Sequence, residues 1–471
     1  MLTFFELAFL AILYLGPATW SVYHVLLYKR DPRAAMSWII ICVFVPYGGP
    51  IGYFLFGINR VRTRARSIRR GLLAVEYEGA GDRPFARPVV DELGLRAIGE
   101  RITGVPLLEG NAVEAIHNGE NAYPAMLASI EGAKHRVLLA TFILKMDRTG
   151  ARFVDALEAA VSRGVEVLVL IDGVGELYSW KRPSKYLNKR GIRTARFLPP
   201  RLLPPSIYVN LRNHRKILIV DQEVAYAGGM NIGDENVSEP GRPGRVTDVH
   251  FSLRGPIVDA LAEIFYRDWH FTTGTQYRND DLPQPEQKGG ASCRAIPDGP
   301  DAEMDSLALA ILAVVSSAVR HLDIMTPYFL PSRDLIGALQ AAALRGVRVR
   351  VILPGKNNLF YVHWANRNIL AELLKSGIEV YYQPAPFCHS KLLCVDDEYS
   401  LIGSANLDPR SLRLNYELGV EVFSGSLTAD LRAHMERVVA VSAPISHEQL
   451  TTRSVWVRLR DSFVALFTPY L

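Results

Sequence analysis

One short pattern occurs twice in this chain, in the same register, and it constrains the fold more than any other feature. His214-Arg215-Lys216-Ile217-Leu218-Ile219-Val220-Asp221 and His389-Ser390-Lys391-Leu392-Leu393-Cys394-Val395-Asp396 both read H-x-K-x4-D. Seven positions after each Asp comes a small pair and an Asn: Gly228-Gly229-Met230-Asn231 and Gly403-Ser404-Ala405-Asn406. The interval from His to Asn is 17 in both copies, 231 − 214 and 406 − 389. A pattern repeated in register demands the same local structure twice. Period-two alternation puts each His and Lys on one face of a strand. The apolar runs Ile217 to Val220 and Leu392 to Val395 continue that strand into a core. Imidazole supplies a nucleophile or proton carrier, while the ammonium and the Asn amide donate to phosphate oxygens. Together these residue types describe a phosphodiester site built from two halves.

At these residues the sequence resembles the phospholipase D superfamily, whose signature is a duplicated H-x-K-x4-D with a trailing G-[GS]-x-N. The repeat reaches upstream. Arg136 to Leu144 matches His321 to Phe329, and Ser162 to Leu170 matches Leu344 to Ile352. Helical patterns, Phe153 to Arg163 and Asp334 to Arg345, lie between those strands. Strand–helix–strand order repeated in this way predicts an α/β chain. The resemblance implies two repeated phospholipase D-like sandwich halves sharing one active site, preceded by an N-terminal transmembrane hairpin. We place the first half at 109–277, a polar linker at 278–292 and the second half at 293–448, with a basic and apolar C-terminal segment at 449–471. A helix is expected over Tyr123 to Ala133, with Pro124 in its first turn. Glu239 to Arg245 reads as an exposed loop at the edge of the site.

The mean hydropathy of +0.09 is high for a wholly soluble protein of 471 residues, and the excess sits at the start. Leu7 to Tyr28 carries no formal charge except on His24, and Ala34 to Ile58 carries none. Either stretch can cross a bilayer core of about 30 Å. Glu6 replaces the basic region of a signal peptide, and neither stretch has the polar face of a core helix. Residues 1–70 are therefore read as a membrane anchor and 71–108 as a connector. Pro46-Tyr47-Gly48-Gly49-Pro50 should break or kink the second stretch, which either spans or re-enters. Arg60, Arg62, Arg64, Arg66, Arg69 and Arg70 follow it, which places the catalytic body in the cytoplasm and draws anionic headgroups. The C-terminal Arg453 to Phe467 fits a membrane interface or packing on the body equally well. Cys42, Cys293, Cys388 and Cys394 are too scattered for a disulfide framework or a zinc site.

What the resemblance implies for the chemistry can be written residue by residue. His214, Lys216, Asp221, His389, Lys391 and Asp396 match the family's catalytic motif. His214 is then the nucleophile and His389 the general acid, then base; the residues alone allow the reverse. Lys216, Lys391, Asn231 and Asn406 surround the non-bridging phosphate oxygens, so neither a metal nor another cofactor is called for. Asp248 and Glu417 match the carboxylates that orient the histidines. Asp221 and Asp396, at strand ends, are read as organising the turn to the Gly pair. Three activities are compatible with the motif: a phosphodiesterase or nuclease, a membrane-bound phospholipase D and a phosphatidyl transferase. A nuclease has little use for two hydrophobic stretches. The layout resembles bacterial cardiolipin synthases of the phospholipase D type. The matching segments are Pro46 to Tyr53, Asn118 to Tyr123, Asp172 to Gly175, Arg212 to Lys216 and Asp268-Trp269. That likeness implies joining two phosphatidylglycerols at a bacterial inner membrane. The expected partners are phosphatidylglycerol and other anionic phospholipids, not nucleic acid. Oligomeric state is not set by these features.

Overall fold

The computed structural model describes residues 4–29, 32–45, 47–54, 94–200, 211–237, 246–277, 282–300 and 305–468. The arginine run Arg60 to Arg70, most of the connector, the Glu239 to Arg245 loop and the start of the 278–292 linker lie outside them. The chain divides into two units, Met1–Val75 and Glu76–Leu471.

In the first unit, helix Phe4–Tyr28 is followed by helix Pro32–Phe44 and a short helix Gly48–Gly52. The second hydrophobic stretch is thus interrupted where its Pro-Tyr-Gly-Gly-Pro run falls. Val25, Cys42 and Tyr53 form a small buried cluster, and Tyr53 Oη lies 2.8 Å from His24 Nδ1. Among the described residues no helix is both long and apolar enough to cross a membrane. The side chains of residues 1–14 are not among those described.

The second unit is built on its strands. In the first half they are β1 (Leu108–His117), β2 (Arg136–Thr141), β3 (Glu166–Asp172), β4 (Arg193–Phe197), β5 (Ile217–Val220), β6 (Val224–Gly228), β7 (Val246–Thr247) and β8 (Val249–Arg254). The second half supplies β9 (Ala291–Asp298), β10 (His321–Met325), β11 (Arg348–Pro354), β12 (Glu379–Gln383), β13 (Phe387–Cys388), β14 (Leu392–Val395), β15 (Tyr399–Gly403), β16 (Glu417–Phe423) and β17 (Ala443–Pro444). Among the described residues fifteen of these form one sheet, ordered β17-β12-β11-β10-β14-β15-β16-β9-β1-β8-β6-β5-β2-β3-β4. Reading outward from the β9/β1 seam, the two halves have the same order. The seam itself is antiparallel, with Leu108 opposite Cys293 and Asn111 opposite Ala291.

Burial follows from this topology. β2, β3, β5, β10, β11 and β14 carry apolar residues on both faces, as strands covered on two sides must. One buried cluster runs across the seam. It takes Leu261 and Phe265 from helix Ile257–Thr273, Leu431 and Met435 from helix Gly425–Ala440, and strand residues from both halves. Each half has a separate cluster on its other face. The expected helices are present as Arg148–Ser162 and Arg333–Leu344. The helix expected from Tyr123 instead begins at Gly119, which puts Pro124 inside it. Because the Asn118 carbonyl accepts from Asn121 N and Ala122 N, the first turn closes before the proline. The C-terminal helix Val455–Ala465 packs on helix Phe360–Lys375, with buried Asp461 facing Arg367 (3.2 Å) and Arg460 (2.7 Å). Its opposite face leaves Trp456 81% and Phe463 61% exposed.

Asp221 and Asp396 close equivalent turns. The Asp221 carboxylate accepts from the backbone N–H groups of Lys134 (2.7 Å), His135 (2.8 Å) and Arg136 (2.7 Å). Asp396 accepts from Val319 (3.1 Å), Arg320 (2.7 Å) and His321 (3.0 Å). Both have left-handed backbones, φ 49° and 50°, which Asp tolerates better than most residues. Seven residues of extended chain put them roughly 20 Å from their motif histidines. We expect Asp221→Ala and Asp396→Ala each to cost about 1–3 kcal/mol, read as a lower urea midpoint. Lost turnover with an unchanged midpoint would instead place these carboxylates in the chemistry.

Candidate active site

Both motifs reach one cleft of about 860 Å³, lined by His214 and Asn231 from the first half and His389 and Asn406 from the second. The segment ahead of His214 is held by buried charges. Asp172 accepts from Asn213 N (2.9 Å), Val174 N and Gly175 N (both 2.8 Å), and pairs with Arg212 (3.3 Å). Asp268 accepts from Asn213 Nδ2 (2.9 Å) and Arg215 Nη1 (2.6 Å). These are the Asp172-Gly, Arg212-Asn and Asp268-Trp segments quoted from the sequence; their partnership places His214.

The histidine–carboxylate pairs are crossed between halves. His214 Nδ1 lies 3.0 Å from Glu417 Oε2, and His389 Nδ1 lies 3.0 Å from Asp248 Oδ2. Neither carboxylate side chain is reachable by solvent (1% or less), whereas the imidazoles keep 13% and 14% of their surface exposed. The backbone repeats the crossing. His214 N donates to Tyr416 O (2.9 Å) and His389 N to Thr247 O (2.8 Å), each carbonyl standing one residue before the orienting carboxylate. Strands β7 and β13 pair in parallel as part of this exchange. Carboxylates only accept, so each Nδ1 carries the proton and each Nε2 keeps its lone pair. That is the tautomer needed for attack on phosphorus.

Burial and charge set the protonation states. Burial first, then the Lys391 ammonium, pushes His389 down to about 4. Burial also lowers His214, against the opposing pull of Glu417. Burial raises Glu417 and Asp248, but their hydrogen-bonded histidines and the nearby lysines more than offset it and leave both below the usual carboxylate range. Lys216 is lowered to about 7 by burial, and Lys391 is lowered too, each partly offset by the carboxylates. Each lysine donates to its own histidine's carbonyl at 2.6 Å. Both imidazoles are thus biased toward the neutral form, and a bound anion would raise the two lysines again.

The halves differ in detail. Lys391 Nζ lies 3.1 and 3.3 Å from the ring nitrogens of His389. On the other side, Glu417 collects Ser404 Oγ (2.5 Å), Ser411 Oγ (2.8 Å) and Asn415 Nδ2 (3.1 Å). Ser404 occupies the position that Gly229 holds in the first half. A side chain there would meet Asp248 Oδ2 at 2.8 Å and Lys391 Nζ at 3.0 Å. Gly403 sits at φ 150°, and a Cβ would meet Leu418 O at 2.0 Å, so this glycine is a backbone requirement. Asn231 Oδ1 accepts from Ile143 N (3.2 Å). Cys388 is buried beside Ser390 and its thiol is pushed up, so it is packing. Among the described residues no group of three or more His, Cys, Asp or Glu could hold a metal ion. The sequence reading had Ser404 only as the small residue of the trailing motif. It missed the roles of Ser411 and Asn415, whose signal was only their nearness to Glu417, and the aromatic walls Phe142, Tyr178, Tyr328 and Tyr361.

With this geometry in place, the comparisons are direct. A family model described as cardiolipin synthase, PLD-like domain matches residues 126–269 and 311–439. A second, described as phospholipase D-nuclease N-terminal, matches 16–57. The major cardiolipin synthase ClsA of Bacillus subtilis is 32% identical over 457 residues, covering 94% of this chain and 95% of its own. A cardiolipin synthase of Geobacillus thermodenitrificans is 31% identical over 460 residues, covering 94% and 90%. The crystal structure of phosphatidylserine synthase from Haemophilus influenzae superposes with a TM-score of 0.64 at 15% identity, covering 80% of this chain and all of that one; it shows the shared fold. The chain belongs to the phospholipase D-like cardiolipin synthase family, and it is an enzyme of the phosphatidyltransferase type.

Stability should fall in acid. His250, His363, His389 and His434 are each pushed from 6.5 to about 4, chiefly by burial. Between those values the unfolded chain binds more protons, so stability is complete above pH 6.5 and is lost as pH falls toward 4. Asp298 and Asp408, raised by burial to about 8 and about 6, act oppositely, as do Asp172 and Glu421, but His117 and His214 are lowered too, leaving six imidazoles against four carboxyls. The unfolding midpoint of the detergent-solubilised chain should drop steeply from pH 6.5 to 4. A flat profile would show that these imidazoles are not held neutral.

Proposed function

We propose that this chain is a cardiolipin synthase, transferring the phosphatidyl group of one phosphatidylglycerol to a headgroup hydroxyl of another and releasing glycerol. The observation that carries the reading is the meeting of His214 and His389 in one cleft, each with its motif lysine bonded to its carbonyl, in a chain aligned along 94% of its length with cardiolipin synthases. His214 Nε2 attacks phosphorus, forming a P–N bond as the P–O bond to glycerol breaks. His389 gives a proton to the departing glycerol oxygen. His389 then takes the proton from the acceptor hydroxyl, whose oxygen attacks phosphorus and frees His214. One phosphodiester replaces another, so no nucleotide is consumed. Lys216, Lys391, Asn231 and Asn406 hold the non-bridging oxygens as charge gathers in each transition state. Substrate binding supplies the negative charge that raises the acid's pKa from its depressed value. Glu417 and Asp248 fix each imidazole's tautomer and stabilise its cation.

The N-terminal helices serve as a hairpin anchor in the bacterial inner membrane, whether the second stretch spans or re-enters. Arg60 to Arg70 would hold the body at the cytoplasmic leaflet, where anionic phospholipids lie. The bare apolar face around Trp456 and Phe463 suits the same surface.

The test is incubation of purified protein with labelled phosphatidylglycerol, followed by separation of the lipids. Cardiolipin and glycerol in equal amounts are expected; phosphatidic acid alone would make the enzyme a phospholipase D. His214→Ala and His389→Ala should each lower turnover on the order of a thousandfold or more. Mass spectrometry of the His389→Ala protein should find the phosphatidyl adduct on His214. An adduct on His389 in the complementary variant would reverse the roles.

A further inference from the structure

The transfer needs two anionic lipids in one cleft, and the motif lysines account for one. The reacting phosphodiester takes Lys216 and Lys391, one beside each histidine. The acceptor brings a second phosphodiester, joined through its glycerol to the hydroxyl that attacks. The cleft is large enough to hold more than a reacting phosphate, and its remaining cations differ between the halves. On the first-half side Lys145 is paired with Glu235 (2.8 Å) and Arg212 with Asp172 (3.3 Å). On the second-half side Lys356 and Arg410 line the same cleft; among the described residues neither side chain makes an ion pair or hydrogen bond, although the Arg410 charge acts to lower the neighbouring Asp408.

Arg410 is held firmly. It lies on the short helix Pro409–Arg413, capped by Asp408, whose carboxylate accepts from Ser411 N (2.8 Å). Ser411 Oγ donates to Glu417 Oε1, and Asn415 N donates to Arg410 O (3.1 Å). The segment is therefore tied to the carboxylate that orients His214. Arg212 is lowered first by burial and in part by the charge of Arg410, while Asp172 pairs with Arg212 and the Asp408 carboxyl feels the Arg410 charge, so both guanidinium groups bear on the same cleft. Like charges brought together at an open cleft stabilise a bound anion.

A buried acceptor lies on the same segment. Asn415 lines the cleft at 7% exposure. Its Nδ2 is committed to Glu417, which fixes the amide's orientation, and its Oδ1 has no donor among the described residues. An unmet buried carbonyl is costly until a donor arrives, and a headgroup hydroxyl is such a donor.

We propose that Arg410, Lys356 and Asn415 form the acceptor subsite: the two cations bind the second lipid's phosphodiester and Asn415 Oδ1 accepts from a glycerol hydroxyl. This rests on the synthase reading. A lipid seated there places its terminal hydroxyl against the phosphorylated histidine and leaves less room for water. The subsite selects a polyol phosphodiester over water or a simple alcohol.

The experiment uses the full-length enzyme in detergent micelles containing phosphatidylglycerol labelled in its headgroup or its acyl chains. Released glycerol, cardiolipin and phosphatidic acid are counted separately. Arg410→Gln and Lys356→Gln should each raise the KM for cardiolipin formation on the order of tenfold. Each should also raise the ratio of glycerol to cardiolipin, because water takes more of the intermediate. Arg410→Lys should recover part of the loss. Arg413→Gln, on the same helix but away from the cleft lining, should keep the wild-type ratio. An equal fall in glycerol release and cardiolipin formation, with KM unchanged, would assign these cations to the donor or the fold and overturn the subsite. Wild-type kinetics in both variants would overturn it too. A wild-type enzyme that forms phosphatidic acid but no cardiolipin would bring down the synthase reading, and the subsite with it.

Discussion

Two buried carboxylates hold imidazoles that belong to the other half of the chain, and most of the architecture is arranged around that exchange. Glu417 and Asp248 are almost sealed from solvent, where an unpaired carboxylate would be strongly destabilising. Each finds its partner only when the halves dock in one register. The antiparallel β9/β1 seam sets that register, and the backbone bonds from His214 to Tyr416 and from His389 to Thr247 repeat it at the site. A core continuous across the seam keeps the halves from sliding. Neither half alone contains a complete histidine–carboxylate pair, so docking and site assembly are one event.

Duplication produces a nearly symmetric site, yet the proposed reaction asks the two histidines for different protonation states. The differences are small and chemical. Glu417 is braced by Ser404, Ser411 and Asn415, whereas Gly229 leaves the space beside Asp248 open for Lys391. Lys391 then lies against the His389 ring and deepens the depression that burial begins. The single change from Gly to Ser between the trailing motifs is therefore also a change in electrostatics. With Ser411 and Asn415 on the Glu417 side, it gives the two imidazoles different surroundings.

Much of this was legible in the sequence because a duplicated motif carries its own check. The apolar runs after each motif are strands as expected, but His214, Lys216, His389 and Lys391 stand just ahead of them, since β5 begins at Ile217 and β14 at Leu392. The repeats at Arg136/His321 and Arg163/Arg345 paired β2 with β10 and the two helix-to-strand returns. The crossing was not legible. Glu417 lies 203 positions from His214, and nothing local to either residue names its partner. The bracing groups were equally hidden, since Ser and Asn near a strand read as turn residues until a buried carboxylate is found beside them. The helix begun at Gly119 escaped because Pro124 is a familiar first-turn residue, and only the Asn118 carbonyl reveals an earlier start. In the C-terminal segment two readings were open; the structure shows packing on the body through buried Asp461 and leaves Trp456 bare.

The crossed pairing is open to direct measurement by titrating isotope-labelled histidine by NMR in the wild-type enzyme and in Glu417→Gln and Asp248→Asn variants. Glu417 is the largest influence holding up the pKa of His214. Its neutralisation should therefore lower the His214 titration further and shift its Nδ1 signal, while Asp248→Asn does the same to His389 and leaves His214 nearly unmoved. A His214 resonance that answers to Asp248, the carboxylate of its own half, and not to Glu417 would contradict a site assembled across the seam.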